Sequence, residues 1–317
     1  MNPEREEGKA GNVSEPTERG ATDASDPATE AFLAHRNLLF TVAYEILGSA
    51  ADAEDVLQET WLRWAGVDLD RVRDRRAYLV RITTRQSLNW LRALKRRKEA
   101  YVGSWLPEPL LTAPDVAQDV ELAESLSLAL LHVLETLAPT ERVVFVLREV
   151  FEVSYEEIAS AVDRTPAAVR QIAHRARRHV DARRPRETAS AAETRAALES
   201  FRRAFETGDL QGVLDVLAPD VVLVGDGGGV RQAAPRPITG AEKVARLLFG
   251  GLAKAGATAS GEPTLVNGNP ALVVRLDGEV DGVLAIRVED ARIAGLYYVR
   301  NPEKLSRLSA ETPLTLR

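Results

Sequence analysis

Arginine side chains recur at helical spacing in two separate segments of this 317-residue sequence. Between Asp70 and Lys98 there are 11 Lys and Arg residues against 2 acids, and between Arg164 and Arg186 there are 8 Arg residues against 1 acid. The whole chain has a formal net charge of −6, but salt screens charges beyond roughly 8 Å, so each cluster acts locally. Guanidinium groups at this density bind phosphates and base edges. The sequence therefore predicts two nucleic-acid-binding surfaces.

The first cluster lies on a helix predicted from about Arg75 to Glu99. One stripe of this helix is apolar and another is cationic, with no acid at i±4 to pair the arginines. We expect the cationic stripe to contact DNA, and a solvated charged face is the alternative. The candidate residues on it are Arg81, Arg85, Asn89, Arg92 and Arg96.

The second cluster lies on the latter of two short predicted helices joined by a tight turn. Ser154 and Glu157 form a capping box that opens the first helix, and Thr165 with Pro166 is a typical start of the second. The outward side chains of the second helix, uncompensated by local acids, are Arg170, Gln171, His174, Arg175, Arg177 and Arg178. The pattern predicts a DNA-binding helix-turn-helix, with an ordinary αα-hairpin as the alternative.

An acidic helix precedes the first basic one. The stretch DAEDVLQETWLRW, from Asp52 to Trp64, holds four acids and a single Arg. Leu57, Trp61 and Trp64 share one side at helical spacing, so we expect both tryptophans in the core. The polar residues on the remaining sides are Asp52, Glu54, Asp55, Gln58 and Glu59. One small helical unit thus presents opposite charges on two surfaces.

The elements that position these clusters divide the chain into six segments. We expect a disordered leader at 1–28, helical units at 29–102 and 124–184, linkers at 103–123 and 185–194, and a C-terminal domain at 195–317. In the last, two helices precede strands separated by the turn pairs Asn267–Gly268, Asp277–Gly278 and Asp281–Gly282. Helices followed by an antiparallel sheet predict an α+β domain.

Composition excludes several kinds of site. The chain has no Cys, which excludes disulfides, cysteine nucleophiles and cysteine-ligated zinc, and a reducing cytoplasm is the expected location. No apolar run approaches the length of a membrane-spanning helix, and we expect no metal and no cofactor. All four histidines, His35, His132, His174 and His179, precede the C-terminal domain. We therefore expect a protein that is not an enzyme.

The acidic helix, the basic helix with RITTRQSLNWLR and the helix-turn-helix together resemble a group-four, or extracytoplasmic-function, bacterial sigma factor. The resemblance covers about Glu30–Val102 and Glu124–Arg184. It implies two all-α sigma domains, a region-2 helical bundle and a region-4 helix-turn-helix. It further implies that the partners are promoter DNA and core RNA polymerase, through its β′ clamp helices and β flap.

The same resemblance assigns roles to the clusters. The polar residues of the acidic helix, Asp52, Glu54, Asp55, Gln58 and Glu59, are expected to bind polymerase. The first basic stripe, from Arg81 to Arg96, would bind the −10 element, with Gly66–Asp74 as the loop that captures a flipped base. The second basic helix, from Arg170 to Arg178, would read the −35 element.

The C-terminal domain resembles the SnoaL-like α+β cone, and three strings match the sigma subfamily that carries it. The resemblance implies that these strings form a regulatory surface controlling the factor in cis. They are WLPEPL (Trp105, Leu106, Pro107, Glu108, Pro109, Leu110), DGGG (Asp226, Gly227, Gly228, Gly229) and NPEKL (Asn301, Pro302, Glu303, Lys304, Leu305). The family's glycine turn usually ends in Lys, whereas here Val230 and Arg231 follow. A spacer, a tight turn and a helix cap are the plain alternatives.

Two other functions remain open at this point. A ligand-responsive helix-turn-helix regulator would bind DNA without polymerase, but it would need only one basic surface. SnoaL-like folds also include polyketide cyclases and isomerases, so the tail could carry such an activity. A small-molecule ligand in the cone is a further expectation.

Overall fold

The computed structural model describes residues 26–99, 101–118, 120–183, 189–308 and 310–316. Most of the expected leader lies outside the described residues. The first helix begins at Pro27, so the end of the leader was placed slightly too late. Ala28 is already buried, and its carbonyl accepts a hydrogen bond from Trp64.

The first helical unit is a three-helix bundle. Its elements are α1 (Pro27–Leu47), α2 (Ala50–Trp64), a 3₁₀ turn (Leu69–Arg71) and α3 (Arg75–Glu99). Gly48 ends α1 in the left-handed region at φ 69°, and the Ser49 hydroxyl caps α2 by accepting from the Asp52 N–H at 3.2 Å. Trp64 is fully buried and donates to the Ala28 carbonyl at 2.7 Å. Trp61 is half-buried against Phe32, so the prediction that both tryptophans pack in the core is confirmed.

The second helical unit contains the predicted helix-turn-helix. Its helices are α4 (Pro114–Gln118), α5 (Val120–Leu126), α6 (Leu128–Leu134), α7 (Pro139–Phe145), a π turn (Val146–Val150), α8 (Tyr155–Val162) and α9 (Pro166–Asp181). The capping box of Ser154 and Glu157 and the Thr165 cap are both present. Asp163 turns the chain between α8 and α9 at φ 54°.

The C-terminal domain is α+β, as predicted, with one six-stranded sheet. Its elements are α10 (Ala191–Glu206), α11 (Leu210–Val216), β1 (Leu217–Asp226), β2 (Ile238–Thr239), α12 (Ala241–Ala255), β3 (Ala259–Val266), β4 (Asn269–Leu276), β5 (Glu279–Glu289), β6 (Arg292–Val299) and a 3₁₀ turn (Pro302–Lys304). The strand order is β2-β1-β6-β5-β4-β3.

Two details of the sheet correct the sequence prediction. The sheet is not wholly antiparallel, because β1 pairs in parallel with β6, a contact that local turn signals cannot reveal. Asp281–Gly282 is not a turn but lies inside β5, where the β4–β5 register shifts. A Cβ on Gly282 would lie 2.4 Å from the Val299 carbonyl oxygen, so glycine here permits the close approach of β6 rather than a reversal.

The two faces of the sheet have different neighbours. One face packs on α10 and α12 through residues such as Phe201, Val244 and Leu296. The other face packs on the linker and α6 through Leu106 and Leu128. The C-terminal domain is therefore joined through its sheet to the linker between the two helical units.

Candidate promoter-binding faces and a clamp on the linker

All six predicted residues of α9 are exposed, while the apolar face with Val169 and Ala173 is buried. Three of the arginines nevertheless have acidic partners from neighbouring helices, so the expectation that they are uncompensated was wrong. Those pairs are Arg170–Glu156 at 3.2 Å, Arg175–Glu141 at 3.9 Å and Arg177–Glu149 at 2.6 Å. Exposed pairs of this kind contribute about 0–1 kcal/mol. They can therefore be exchanged for phosphate contacts at little cost.

The cationic face of α3 is partly occupied by the second helical unit. The Arg85 guanidinium donates to the Ser160 carbonyl at 2.7 Å and to Asp163 Oδ1 at 2.8 Å, both at the end of α8. Asn89 and Arg92 are exposed, and Arg81 lies 4.6 Å from the centre of the Tyr78 ring. The side chain of Arg96 lies outside the described residues. In this conformation Arg85, which is predicted to bind DNA, is instead hydrogen-bonded to the second helical unit.

The acidic face of α2 is open at three positions and covered at one. Asp55, Gln58 and Glu59 are exposed, and Asp52 is half-buried. Both carboxylate oxygens of Glu54 accept from Arg36 Nη2, at 2.8 and 2.9 Å, and Arg307 of the C-terminal segment lies 3.8 Å away.

Glu108, in the middle of WLPEPL, is buried against the start of α2. Its carboxylate accepts from the backbone N–H of Ala50 at 2.7 Å and of Ala51 at 3.4 Å. Its carbonyl accepts from the Tyr44 hydroxyl at 2.6 Å. Burial raises the pKa of Glu108, against these N–H hydrogen bonds, which lower it. The linker residue therefore acts as an N-terminal cap for the acidic helix.

The three predicted regulatory strings meet at Asp226, which is fully buried. Asp226 Oδ2 accepts from the Leu106 N–H at 2.9 Å and from Lys304 Nζ at 2.7 Å. Lys304 Nζ also donates to the Leu106 carbonyl at 2.5 Å and lies 3.4 Å from the centre of the Trp105 ring. Burial lowers the pKa of Lys304, and the Asp226 carboxylate opposes that shift. We call Asp226, Asn301 and Lys304 the clamp.

Tyr101 binds two residues of the clamp, although no pattern in the sequence indicated this contact. Its hydroxyl donates to Asp226 Oδ1 at 2.5 Å and accepts from Asn301 Nδ2 at 3.0 Å. The glycines of DGGG fit closely around these groups, since a Cβ on Gly228 would lie 2.5 Å from Asn301. Gly227 and Gly229 complete that turn, and Arg231 is exposed beyond it.

The remaining predicted regulatory residues lie around the clamp. Pro107, Pro109 and Leu110 are buried, Leu305 packs on the same cluster as Leu106, and Pro302 and Glu303 are exposed on the 3₁₀ turn.

A second anchor of the linker, at Asn267, was also missed. Asn267 Oδ1 accepts from the Leu110 N–H at 2.9 Å, and its Nδ2 donates to the Tyr44 hydroxyl at 2.6 Å and the Leu126 carbonyl at 3.0 Å. One amide side chain thus joins the C-terminal domain, the linker and both helical units. In the sequence, the pair Asn267–Gly268 predicted only a turn between two strands, and the structure has that turn as well as the anchor.

The C-terminal segment passes back over the first helical unit. The Thr312 N–H donates to the Leu111 carbonyl at 2.8 Å, and the Thr315 N–H donates to the Thr41 hydroxyl at 3.0 Å. Leu314 is buried in the same core as α1.

A buried ion pair lies between the two helical units. Arg142 of α7 pairs with Glu135 at 2.7 Å and also donates to the Glu45 carbonyl of α1 at 3.3 Å. Glu45 itself is fully buried, and burial raises its pKa to about 8.

Two described features bear on other classes of protein. No described helix combines the length and the apolar character needed to cross a membrane. Within the described ranges, no three His, Asp or Glu side chains come together in a way that could hold a metal ion.

The fold and the two basic helix faces define a two-part transcription factor with an α+β extension. Family models for sigma-70 region 2 and sigma-70 region 4 match residues 31–97 and 127–180. The chain is 38% identical over 291 residues to the ECF RNA polymerase sigma factor SigJ of Mycobacterium tuberculosis, covering 87% of this chain and 92% of that protein. The chain therefore belongs to the ECF RNA polymerase sigma factor family.

Other similarities agree with this assignment. The probable ECF sigma factor SigI of Mycobacterium tuberculosis is 31% identical, covering 90% of this chain and 97% of that protein. The crystal structure of Mycobacterium tuberculosis SigJ matches with a TM-score of 0.71 and 33% identity, covering 90% of this chain and all of that one. The predicted fold class, helical sigma domains followed by a SnoaL-like domain, is confirmed.

Proposed function

We propose that this protein binds core RNA polymerase, directs it to promoters and is held inactive in cis by the clamp on its linker. The observation that carries the cis regulation is the junction at Asp226, where DGGG and NPEKL grip the backbone of WLPEPL through Leu106. The polymerase contacts would be the polar residues of α2 with the β′ clamp helices, and the second helical unit with the β flap. Such a partner implies a cytoplasmic location.

The two DNA faces divide the work of promoter recognition. On α9, Arg170, Gln171 and His174 would reach base edges at the −35 element, and Arg175, Arg177 and Arg178 would bind phosphates. On α3, the arginines would hold the backbone of the −10 element, and Asn89 would reach a base. The loop Gly66–Asp74, which contains the 3₁₀ turn, would hold a flipped base.

The clamped form does not suit simultaneous binding of both elements. Their centres are about 25 base pairs apart, or about 85 Å of duplex at 3.4 Å per base pair. In this structure Arg85 of α3 is hydrogen-bonded to the end of α8, so the two DNA-binding units are in contact. The helical units must therefore separate before both faces can engage one promoter. A clamp that holds the linker between them opposes that separation.

Catalysis in the C-terminal domain is the less favoured function. Its cavity has two carboxylates, Glu206 and Asp281, among the described lining residues. Glu206 pairs with Arg202 at 2.7 Å, and Asp281 pairs with Arg300 at 2.7 Å. Burial of Asp281 acts in the other direction, but hydrogen bonds from Arg300 and Tyr298 hold its pKa below the usual value. A carboxylate with a depressed pKa is a weak general base, which supports a regulatory domain.

Reconstitution with polymerase tests the proposal. The full chain is mixed with core polymerase that lacks its own specificity subunit, and transcript 5′ ends are mapped on fragmented DNA of the source genome. We expect start sites that share a −35 and a −10 sequence, and Lys304→Met should raise their output. Lys243→Met, which removes an exposed lysine of α12 outside the clamp, serves as the matched control.

Three outcomes would count against parts of the proposal. Failure of the chain to bind core polymerase at low salt would contradict the sigma function itself. Start sites without shared upstream elements would contradict the assignment of the two DNA faces. Equal output from wild type, Lys304→Met and Lys243→Met would contradict inhibition by the clamp.

A further inference from the structure

The C-terminal domain contains a cavity of about 780 Å³ on the face of the sheet opposite the clamp. Its walls come from α10, α12 and the central strands, and they are mainly apolar. Six of the apolar lining residues are Phe201, Phe205, Leu223, Leu248, Leu272 and Leu284. The volume lies within the range of about 300–1,000 Å³ that is common for small-molecule sites.

Two adjacent glycines leave one wall of this cavity open. Gly250 and Gly251 lie in the interior of α12 and line the cavity, and a Cβ on either would meet no atom within 4 Å. Glycine inside a helix is destabilising relative to alanine because it loses more backbone freedom on folding. Larger side chains would fit at both positions, so glycine is not required here to avoid a steric clash. Its effect is to keep access to the cavity wide.

The charges of the cavity are arranged unevenly. Asp281 is neutralised by Arg300, with both of its oxygens 2.7 Å from the guanidinium. On α12, Arg246 and Lys254 line the cavity, are exposed, and form no ion pair with any residue that the structure describes. They lie four residues before and four residues after Gly250, on one stripe of the helix. Two cations therefore flank the open wall of an apolar cavity.

The cavity and the clamp share two structural elements. Along β6 the side chains alternate, so that Tyr298 lines the cavity while Tyr297 packs towards the linker. Arg300 lines the cavity, and its backbone N–H donates to the Asp226 carbonyl at 2.7 Å. Its guanidinium also donates to the Gln232 carbonyl, in the loop that follows DGGG and forms part of the cavity wall. A molecule in the cavity would contact both elements that position Asp226.

We propose that this cavity binds an amphipathic organic anion, with an apolar body in the cavity and its carboxylate between Arg246 and Lys254, and that binding tightens the clamp. The binding site stands on its own geometry, whereas the effect on transcription rests on the function proposed above. Ordering of Arg300 and of the loop from Gln232 to Pro235 by the ligand favours the arrangement in which Asp226 holds the linker. By thermodynamic reciprocity, loosening the clamp weakens the ligand.

Binding is tested on the full chain without polymerase. The probe is 1-anilinonaphthalene-8-sulfonate, whose fluorescence rises in apolar sites, and the competitor is dodecanoate below its micelle concentration, with dodecanol as the uncharged control. We expect dodecanoate to displace the probe at least tenfold more effectively than dodecanol. Gly250→Leu, which fills the open wall, should weaken dodecanoate at least tenfold, and Lys243→Leu on the same helix should not. Failure of the probe and of dodecanoate to bind, or equal binding by Gly250→Leu, would overturn the site.

The charge and the coupling are tested separately. Replacing Arg246 and Lys254 together by Gln should remove the preference for dodecanoate over dodecanol, and an unchanged preference would overturn the anion assignment. Lys304→Met should weaken dodecanoate severalfold although it lies on the other face of the sheet, and unchanged affinity would overturn the coupling. In the reconstituted system dodecanoate should lower transcription by wild type more than by Gly250→Leu. If polymerase binding itself fails, the fluorescence results still decide whether the cavity is a site.

Discussion

Replacing Lys304 by methionine should release the linker from the C-terminal domain. The substitution keeps an unbranched side chain of similar length but leaves Asp226 as a buried carboxylate without its cation. Removing one partner of a buried ion pair typically costs about 3–5 kcal/mol. Two further contacts, with the Leu106 carbonyl and the Trp105 ring, are lost at the same time. Because all of them involve one ammonium group, their energies are not added, and about 3 kcal/mol is the working value.

Hydrogen exchange measures this loss directly. The Leu106, Glu108 and Leu110 N–H groups are all hydrogen-bonded in the clamped form, to Asp226, Gly48 and Asn267 respectively. About 3 kcal/mol should speed exchange across the linker by about 100-fold, since each 1.4 kcal/mol is a factor of ten. Lys243→Met should leave exchange at wild-type rates.

A double substitution separates the missing charge from simple damage. In Asp226→Asn with Lys304→Met both buried charges are gone, so the linker should be held more firmly than in Lys304→Met alone. Exchange in the linker that is unchanged in Lys304→Met would refute the reasoning. The reasoning would also be refuted if the linker exchanged faster in the double variant than in Lys304→Met, by the factor expected for the loss of a second contact.

Two other predictions concern the DNA face and the interface between the helical units. Arg170→Ala should reduce discrimination between cognate and scrambled −35 sites by about 1–3 kcal/mol, whereas Arg178→Ala should weaken binding to both sites alike and lower the salt slope of binding by roughly one. Both are measured by equilibrium binding of the holoenzyme at several salt concentrations. Equal loss on both sites for Arg170→Ala would contradict the base-reading role. Glu45 has a pKa raised by burial to about 8 from 4.5, so the folded form binds its proton more tightly than the unfolded chain, and the stabilisation present at low pH is lost as the pH rises from about 4.5 to 8. Wild type should therefore lose unfolding free energy relative to Glu45→Gln over that range in denaturant titrations, and parallel pH profiles would show that Glu45 is not buried in this way.

Features set by neighbouring residues could be predicted from the sequence. The caps at Ser154 and Thr165, the inward apolar face of α9 and the α+β order of the C-terminal domain follow from spacing and turn chemistry alone. The regulatory strings were assigned by resemblance, and the structure brings residues of all three to one junction at Asp226. Tyr101 was not predicted, because it lies outside these strings, although its hydroxyl donates to Asp226 at the same junction.

Contacts between residues far apart in the chain could not be predicted. Asn267 and Tyr44 are separated by 223 positions, and Arg85 and Asp163 by 78. No periodic pattern links such pairs, because each depends on how whole domains pack. The ion pairs of α9 were missed for the same reason, since their acids lie on other helices, and a search at i±4 sees only one helix.

The carboxylate of Glu108 couples the position of the linker to the order of the acidic helix α2. With the linker in place, this carboxylate accepts from the N–H groups of Ala50 and Ala51 at the start of α2. Without the linker, those two groups lose their acceptor, and the Ser49 hydroxyl accepts only from the Asp52 N–H. We therefore expect release of the linker and fraying of the first turn of the acidic helix to occur together. Under the proposed function, a polymerase that binds this helix would meet a surface whose local order depends on whether the linker is still held.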